Sequence, residues 1–202
     1  MLFRSMAASF QVPEQGFEHQ AAMPDVPAPE ALATDRELRQ RMADGLPSYL
    51  RAWLTRERPI EIRPVEPVQH YLQKAVEGYR QEKFPPKLVL WLRTTGPLPD
   101  DPSLHRAVLA YASDLSIIAS SLLPHGVMLG SKEMQTASLD HALWFHRPMR
   151  ADQWFLHAQE SPSASGGRGF NRGSIFTRDG LLAASVAQEG LIHRRDGETS
   201  PS

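Results

Sequence analysis

AVLAYASDLSIIASSLL, Ala107 to Leu123, is the stretch whose reading decides the fold. It holds one charged residue, Asp114, and an apolar series Leu104, Val108, Ala112, Leu115, Ile118 or Ala119, and Leu122 recurs at steps of three and four, the period of one helix face. Ile117 and Leu123 fall off that stripe, so the segment predicts a helix buried nearly all round. Its ends are marked: Asp101 stands as N-cap before Pro102 at the first helical position, and Pro124 with Gly126 supplies a stop. A run of 17 residues with an aspartate and four serines near its middle falls short of the apolar span a bilayer needs. The helix therefore reads as protein core, and its lone carboxylate needs a reason.

The composition sets the outer limits. With 202 residues and 41% hydrophobic content the chain can bury a real core. A net charge of −1 gives no bulk basic field, so neither nucleic acid nor an anionic membrane is expected as partner. There is no cysteine, which removes disulfides and thiolate metal sites. MLFRSMAASF lacks the apolar core of a signal peptide and Thr199-Ser200-Pro201-Ser202 is no peroxisomal tripeptide, so the expected location is cytoplasmic.

In chain order, Leu2 to Val12 is strand-like but has no hairpin partner beside it. The segment up to Thr34 is rich in proline (Pro24, Pro27, Pro29) and reads as an extended linker. Thr34-Asp-Arg-Glu37 is a capping-box pattern that starts a surface helix through about Ala43, with a second helical turn from Tyr49 to Leu54. Ile60 and Ile62 alternate with charges, and Leu88 to Leu92 is a continuous apolar run suited to a strand covered on both sides. After the helix come strands at roughly Ser138 to His146, Gln153 to Gln159, Gly169 to Thr177 and Leu181 to Ile192. Asp179-Gly180 predicts a two-residue hairpin loop with positive φ at both positions, which sets Ile175 opposite Ala184 and Asn171 opposite Gln188. Leu182, Ala184, Val186 and Gln188 then share one face, so a polar amide ends an apolar inward row.

A long apolar helix followed by an antiparallel meander is an α+β pattern, and a sheet curled around one central helix describes a hotdog fold. The segments YASDLSIIASSLLPHG (Tyr111 to Gly126), SLDHALWFHRPMRADQW (Ser138 to Trp154), ESPSASGGRGFNRG (Glu160 to Gly173) and FTRDGLLAASVAQEG (Phe176 to Gly190), with ASFQVPEQGFEHQ and MPDVPAPE upstream, resemble the acyl-CoA thioesterase II family. The resemblance implies two tandem hotdog units, hydrolysis of acyl-CoA to fatty acid and coenzyme A, and a substrate lying along the contact between the units. No cofactor and no metal are expected, and a homo-oligomer is expected. The resemblance further implies a catalytic trio of the SDL aspartate, the serine two residues before the DH pair and the glutamine of the QEG strand: Asp114, Ser138 and Gln188.

The front departs from that pattern, because ASFQVPEQGFEHQ matches only the end of a first unit. The expected layout is a remnant last strand in 1–20, linker and surface helix in 21–57, a hotdog unit in 58–195 and a disordered tail in 196–202. A truncated gene model, a short paralogue or a subunit completed by another chain would each give this, the first being favoured. A non-catalytic acyl-CoA-binding or dimerising module is the alternative function.

The chemistry follows from the side chains. Thioester hydrolysis needs a base for water, and because the leaving thiol has a pKa of about 8.5 a general acid is less needed than for an amide. Asp114 is the candidate base, with desolvation expected to raise its pKa, and Ser138 and Gln188 can hold and orient the water. Read without the family, Asp114 is better taken as a structural carboxylate, and Gln188 as a cross-strand partner of Asn171. Asp140-His141 beside Ser138 makes no serine triad, since neighbours on a strand alternate faces, and His141 and His146 fall on opposite sides and share no metal. Trp144, Phe145, Trp154 and Phe155 read as core, with one ring able to line an acyl tunnel. Ser165-Gly-Gly-Arg-Gly169 with Arg172 fits either an anion contact for CoA phosphates or a solvated loop.

Overall fold

The structure, a computed structural model, describes residues 5–12, 14–43, 57–65, 83–127, 129 and 134–195. A seven-stranded, wholly antiparallel sheet forms from β1 (Ile60–Pro64), β2 (Lys87–Thr94), β3 (Met134–Ser138), β4 (Ala142–Phe145), β5 (Phe155–Ser165), β6 (Arg168–Thr177) and β7 (Leu182–Arg194). The spatial order is β1-β2-β5-β6-β7-β3, with β4 also on β7. Helix α1 spans Asp35–Ala43, and α2 spans Pro102–Asp114 in the concave side of the sheet. This is the α+β hotdog layout expected of the sequence.

The central segment is a helix only as far as the aspartate. Asp101 caps α2, its carboxylate accepting from Ser103 N at 2.8 Å, and Pro102 leads the first turn. At Ser116 (φ −142°) the α-helix stops, and the chain continues as short 3-10 turns, Ile117–Ser121 and Leu123–His125, ending on Gly126 at φ 65°. Serine hydroxyls explain part of the tightening: Ser120 Oγ and Ser121 Oγ each donate to the carbonyl three residues back, at 2.8 Å. Burial divides at the same point. Ile117, Ile118, Ser120, Ser121, Leu122 and Leu123 are all buried, but in α2 only His105, Leu109, Ala112 and Ser113 are. Ala107, Tyr111 and Asp114, spaced four and three, make an exposed stripe, so the expectation of burial all round fails for α2. A helix laid on one concave face hides one side there; enclosure comes deeper, where the sheet curls around the 3-10 turns.

Two cores lie on the two faces of the sheet. Inside, Leu88, Leu90, Leu92, Phe155, Ile175 and Ala184 pack with Leu109 and Ala112 of α2. Outside, Trp91, Trp154, Leu156 and Phe176 pack under Met23, Val26 and Leu32. The proline-rich linker is thus a strap across the outer face. Trp91 Nε1 donates to Pro27 O at 3.0 Å, Arg63 Nη1 to Pro29 O at 2.7 Å, and Arg178 pairs with Glu30 at 2.8 Å. The capping box opens α1, with Thr34 N donating to Glu37 at 2.8 Å and Glu37 N to Thr34 Oγ1 at 3.1 Å. The second helical turn expected at Tyr49 to Leu54 lies outside the described residues. Residues 5–12 are exposed and belong to no strand.

The β6–β7 register is as expected at Ile175↔Ala184 and Asn171↔Gln188, but the turn is not. Thr177 N donates to Leu181 O and Gly180 N to Thr177 O, a three-residue loop closed by Gly180 at φ 90°. Phe176 then faces Leu182, and Ala183 is an extra residue that restores the register at Ala184. That bulge turns Leu182 to the outer core, away from Ala184, Val186 and Gln188. The glycine-rich loop is a tight hairpin, Gly166 and Gly167 both at positive φ between β5 and β6. Both nearby arginines are paired, Arg168 with Glu189 and Arg172 with Glu160.

Candidate active site

Three elements deliver the expected trio to one place. Asp114 is the last residue of α2, Ser138 the last of β3, and Gln188 points inward from β7. Ser138 Oγ donates to Asp114 Oδ1 at 3.2 Å, and Gln188 Nε2 donates to the same oxygen. Gln188 is fully buried, whereas Ser138 is exposed and the Asp114 side chain keeps 49% exposure. The desolvation expected around Asp114 is therefore missing, because α2 ends where the sheet opens. The carboxylate sits at a rim, held on one oxygen and facing solvent.

The Gln188 side chain does not bond Asn171; Asn171 Nδ2 reaches the Gln188 main-chain carbonyl at 3.4 Å, and its Oδ1 lies 2.9 Å from Ser120 Oγ, whose one proton it shares with Ile117 O. Asn171 is thereby occupied in anchoring the 3-10 turn, and the Gln188 amide is left to the site.

A fourth side chain joins the trio, which strand periodicity excluded. His141 Nδ1 lies 3.0 Å from Gln188 Nε2 and 3.7 Å from Asp114 Oδ1, and its Nε2 lies 2.9 Å from Ser113 Oγ. The expected single strand from Ser138 to His146 is two strands with an irregular step between. Ser138 faces Gly190 and Ala142 faces Ala187, so three residues, 139–141, span two on β7. The extra residue brings His141 to the side of Ser138. Asp140 pins the step by accepting from Glu189 N at 2.6 Å, while Leu139 N donates to Glu189 O at 2.9 Å. The signal available in the sequence was the DH pair itself, directly behind Ser138. Trp144 and Phe145, read as core, are 53% and 44% exposed, because β4 is paired only on its β7 side.

Behind the trio is a second buried polar group. Gln159 Nε2 lies 2.8 Å from Ser116 Oγ and 2.9 Å from His157 Nδ1. It thus ties β5 to the residue at which α2 breaks. Burial pushes the His157 pKa down from 6.5 to about 3. His157 has room because Gly173 faces its ring: a Cβ there would overlap His157 Nε2.

The family model for acyl-CoA thioesterase matches residues 61–191. The acyl-CoA thioesterase 2 of Haemophilus influenzae is 43% identical over 187 residues, covering 93% of this chain and 63% of that protein. Among solved structures, the acyl-CoA thioesterase II TesB2 of Mycobacterium marinum superposes with a TM-score of 0.68 at 36% identity, over 93% of this chain and 61% of that one. A hot dog fold protein of Alicyclobacillus acidocaldarius, at 15% identity, gives a TM-score of 0.60 over 91% of this chain and 59% of that one, which speaks for the fold alone. The chain spans about three fifths of the length of the curated relatives it matches.

Proposed function

Because the chain belongs to the acyl-CoA thioesterase family, we propose that it hydrolyses a fatty acyl-CoA to the free acid and coenzyme A through water activated by Asp114. The observation that carries the reading is the meeting of Ser138 and Gln188 on a single oxygen of Asp114 at a solvent-facing rim. Asp114 Oδ2 has no partner among the described residues and takes the water proton. The hydroxide adds to the thioester carbonyl, the tetrahedral adduct collapses, the C–S bond breaks, and the thiolate leaves. Ser138 and Gln188 keep the carboxylate aimed while the water is bound, each hydrogen bond contributing about 1 to 3 kcal/mol. No acyl-enzyme forms.

The working unit is proposed to be a homo-oligomer. Exposed Leu139, Trp144 and Phe145 line the step and the edge strand beside the site, an apolar border that a second copy would cover.

Thiol release from a medium-chain acyl-CoA tests the chemistry. Asp114→Asn is expected to lower kcat by about 100-fold or more, the usual worth of a general base, with little change in melting temperature because the side chain is half exposed. Equal rates of release in the two proteins would reject Asp114 as the base, and a ligand-dependent thermal shift with no thiol released by the wild type would reject the hydrolase.

A further inference from the structure

We propose that His141 is a positioning residue of this site, which fixes the Gln188 amide with its NH2 end toward Asp114 by accepting the second Nε2 proton. A glutamine amide has nearly the same shape either way round, and only its partners decide which end points where. Asp114 Oδ1 accepts from Gln188 Nε2, and the same nitrogen lies 3.0 Å from His141 Nδ1. Both partners ask for the NH2 end only while Nδ1 carries no proton. With a proton on Nδ1, His141 would draw the amide oxygen toward itself, and that oxygen would face the carboxylate.

The tautomer is set from the other side of the ring. Ser113 Oγ donates to Ala110 O at 2.9 Å, so at 2.9 Å from His141 Nε2 it accepts, and the ring proton resides on Nε2. Ser113 is fully buried and precedes Asp114 on α2. The helix that carries the base therefore also determines the protonation of the ring that orients the base's partner. The chain of donors is closed: His141 Nε2–H to Ser113 Oγ, Ser113 Oγ–H to Ala110 O, and the two Gln188 Nε2 protons to Asp114 Oδ1 and His141 Nδ1. Because Gln188 has no solvent exposure, neither amide proton can turn to water instead. His141 touches no substrate in this scheme; it acts through Gln188.

Two substitutions separate positioning from packing. Asparagine places its Oδ1 where the histidine holds Nδ1, so His141→Asn keeps an acceptor for Gln188, and His141→Leu removes it at similar bulk. Long-range proton–nitrogen spectra of the wild type are expected to show His141 as the neutral Nε2–H form, with both Gln188 amide protons resolved. In His141→Leu those amide resonances shift and broaden, and in His141→Asn they return toward their wild-type positions. An Nδ1–H ring, or Gln188 resonances indifferent to His141→Leu, would overturn the assignment whether or not the protein is an esterase.

The kinetic arm rests on the hydrolase reading above. There, kcat for thiol release drops about tenfold in His141→Leu, the rate equivalent of one hydrogen bond, with KM within about twofold, and His141→Asn recovers most of it. A wild type that releases no thiol rejects the hydrolase and leaves the spectra to decide on His141; an active wild type with unchanged kcat in His141→Leu rejects the positioning role. If His141→Leu does not fold, Ser113→Ala is expected to populate the Nδ1–H form, and a ring unaffected by that change is equally a refutation.

Discussion

His157 makes stability depend on pH in a way that can be calculated from its surroundings. It is fully buried on β5, its Nδ1 meets Gln159 Nε2 at 2.9 Å, and burial depresses its pKa from 6.5 to about 3. In the unfolded chain the ring binds a proton below about 6.5, and in the folded protein only below about 3. Between those values the unfolded state holds more protons, so stability rises with pH there. The contribution is therefore complete above about pH 6.5, is lost progressively on acidification, and is gone below about pH 3. From pH 7.5 to pH 5 the loss covers about 1.5 pH units, or about 2 kcal/mol at roughly 1.4 kcal/mol per unit.

Urea denaturation of the wild type and of His157→Asn at those two pH values reads this out. The asparagine keeps an acceptor for Gln159 and cannot titrate; it leaves a small void, which lowers stability at both pH values alike. Every other acid-sensitive pair, such as Asp152 with Arg150, is common to the two proteins and drops out of the comparison. The wild type should lose about 2 kcal/mol more than the variant between pH 7.5 and pH 5. Parallel losses would mean that the ring is protonated or solvated in the folded state, and the account of the buried polar group behind the site would be wrong.

Two further outcomes test the packing. Gly173→Ala puts a Cβ into His157 Nε2 and 2.9 Å from Val186 Cγ1, both buried, so a cost of about 1 to 3 kcal/mol is expected in denaturation, while Gly96→Ala, with nothing within 4 Å, should stay within about 0.5 kcal/mol. Trp91→Phe keeps the ring in the outer core but deletes the 3.0 Å bond to Pro27 O, so stability should fall by about 1 kcal/mol and hydrogen exchange in residues 20–32 should quicken more than in β5 or β6; uniform exchange would show that the strap opens only with the whole fold.

Two of the site residues were legible as anomalies. Asp114 is the only charge in an apolar helical run and Gln188 the polar end of an apolar strand row, and the two anomalies meet, the buried Gln188 amide donating to the Asp114 carboxylate. Ser138 carried no such mark, since a hydroxyl at a strand end is unremarkable, and only the family motif pointed to it. Fold class and the β6–β7 register were also legible, because period and turn residues act locally. Leu182, Trp144 and Phe145 were misplaced for one reason: periodicity counts residues along a strand, and cannot see a bulge at Ala183 or which edge of the sheet stays unpaired.

The site depends on the features that periodicity could not show. The helical pattern of Leu115 to Leu122 runs on unbroken past Asp114; besides the local bonds of Ser120 and Ser121, Ser116 at the break is held by Gln159 from β5, 43 residues away. Had the helix continued in register, Leu115 to Leu122 would have kept an exposed side in line with Tyr111, instead of sinking into the curl of the sheet. The extra residue between Ser138 and Ala142 is equally required, for a regular strand would turn His141 from the side that Ser138 faces. Asp114 at a helix end, Ser138 and His141 on either side of a strand step, and Gln188 on β7, in the stretch beyond its bulge at Ala183, thus divide the work. β7 supplies the fixed frame, and two deliberate departures from regular structure bring the remaining groups onto it.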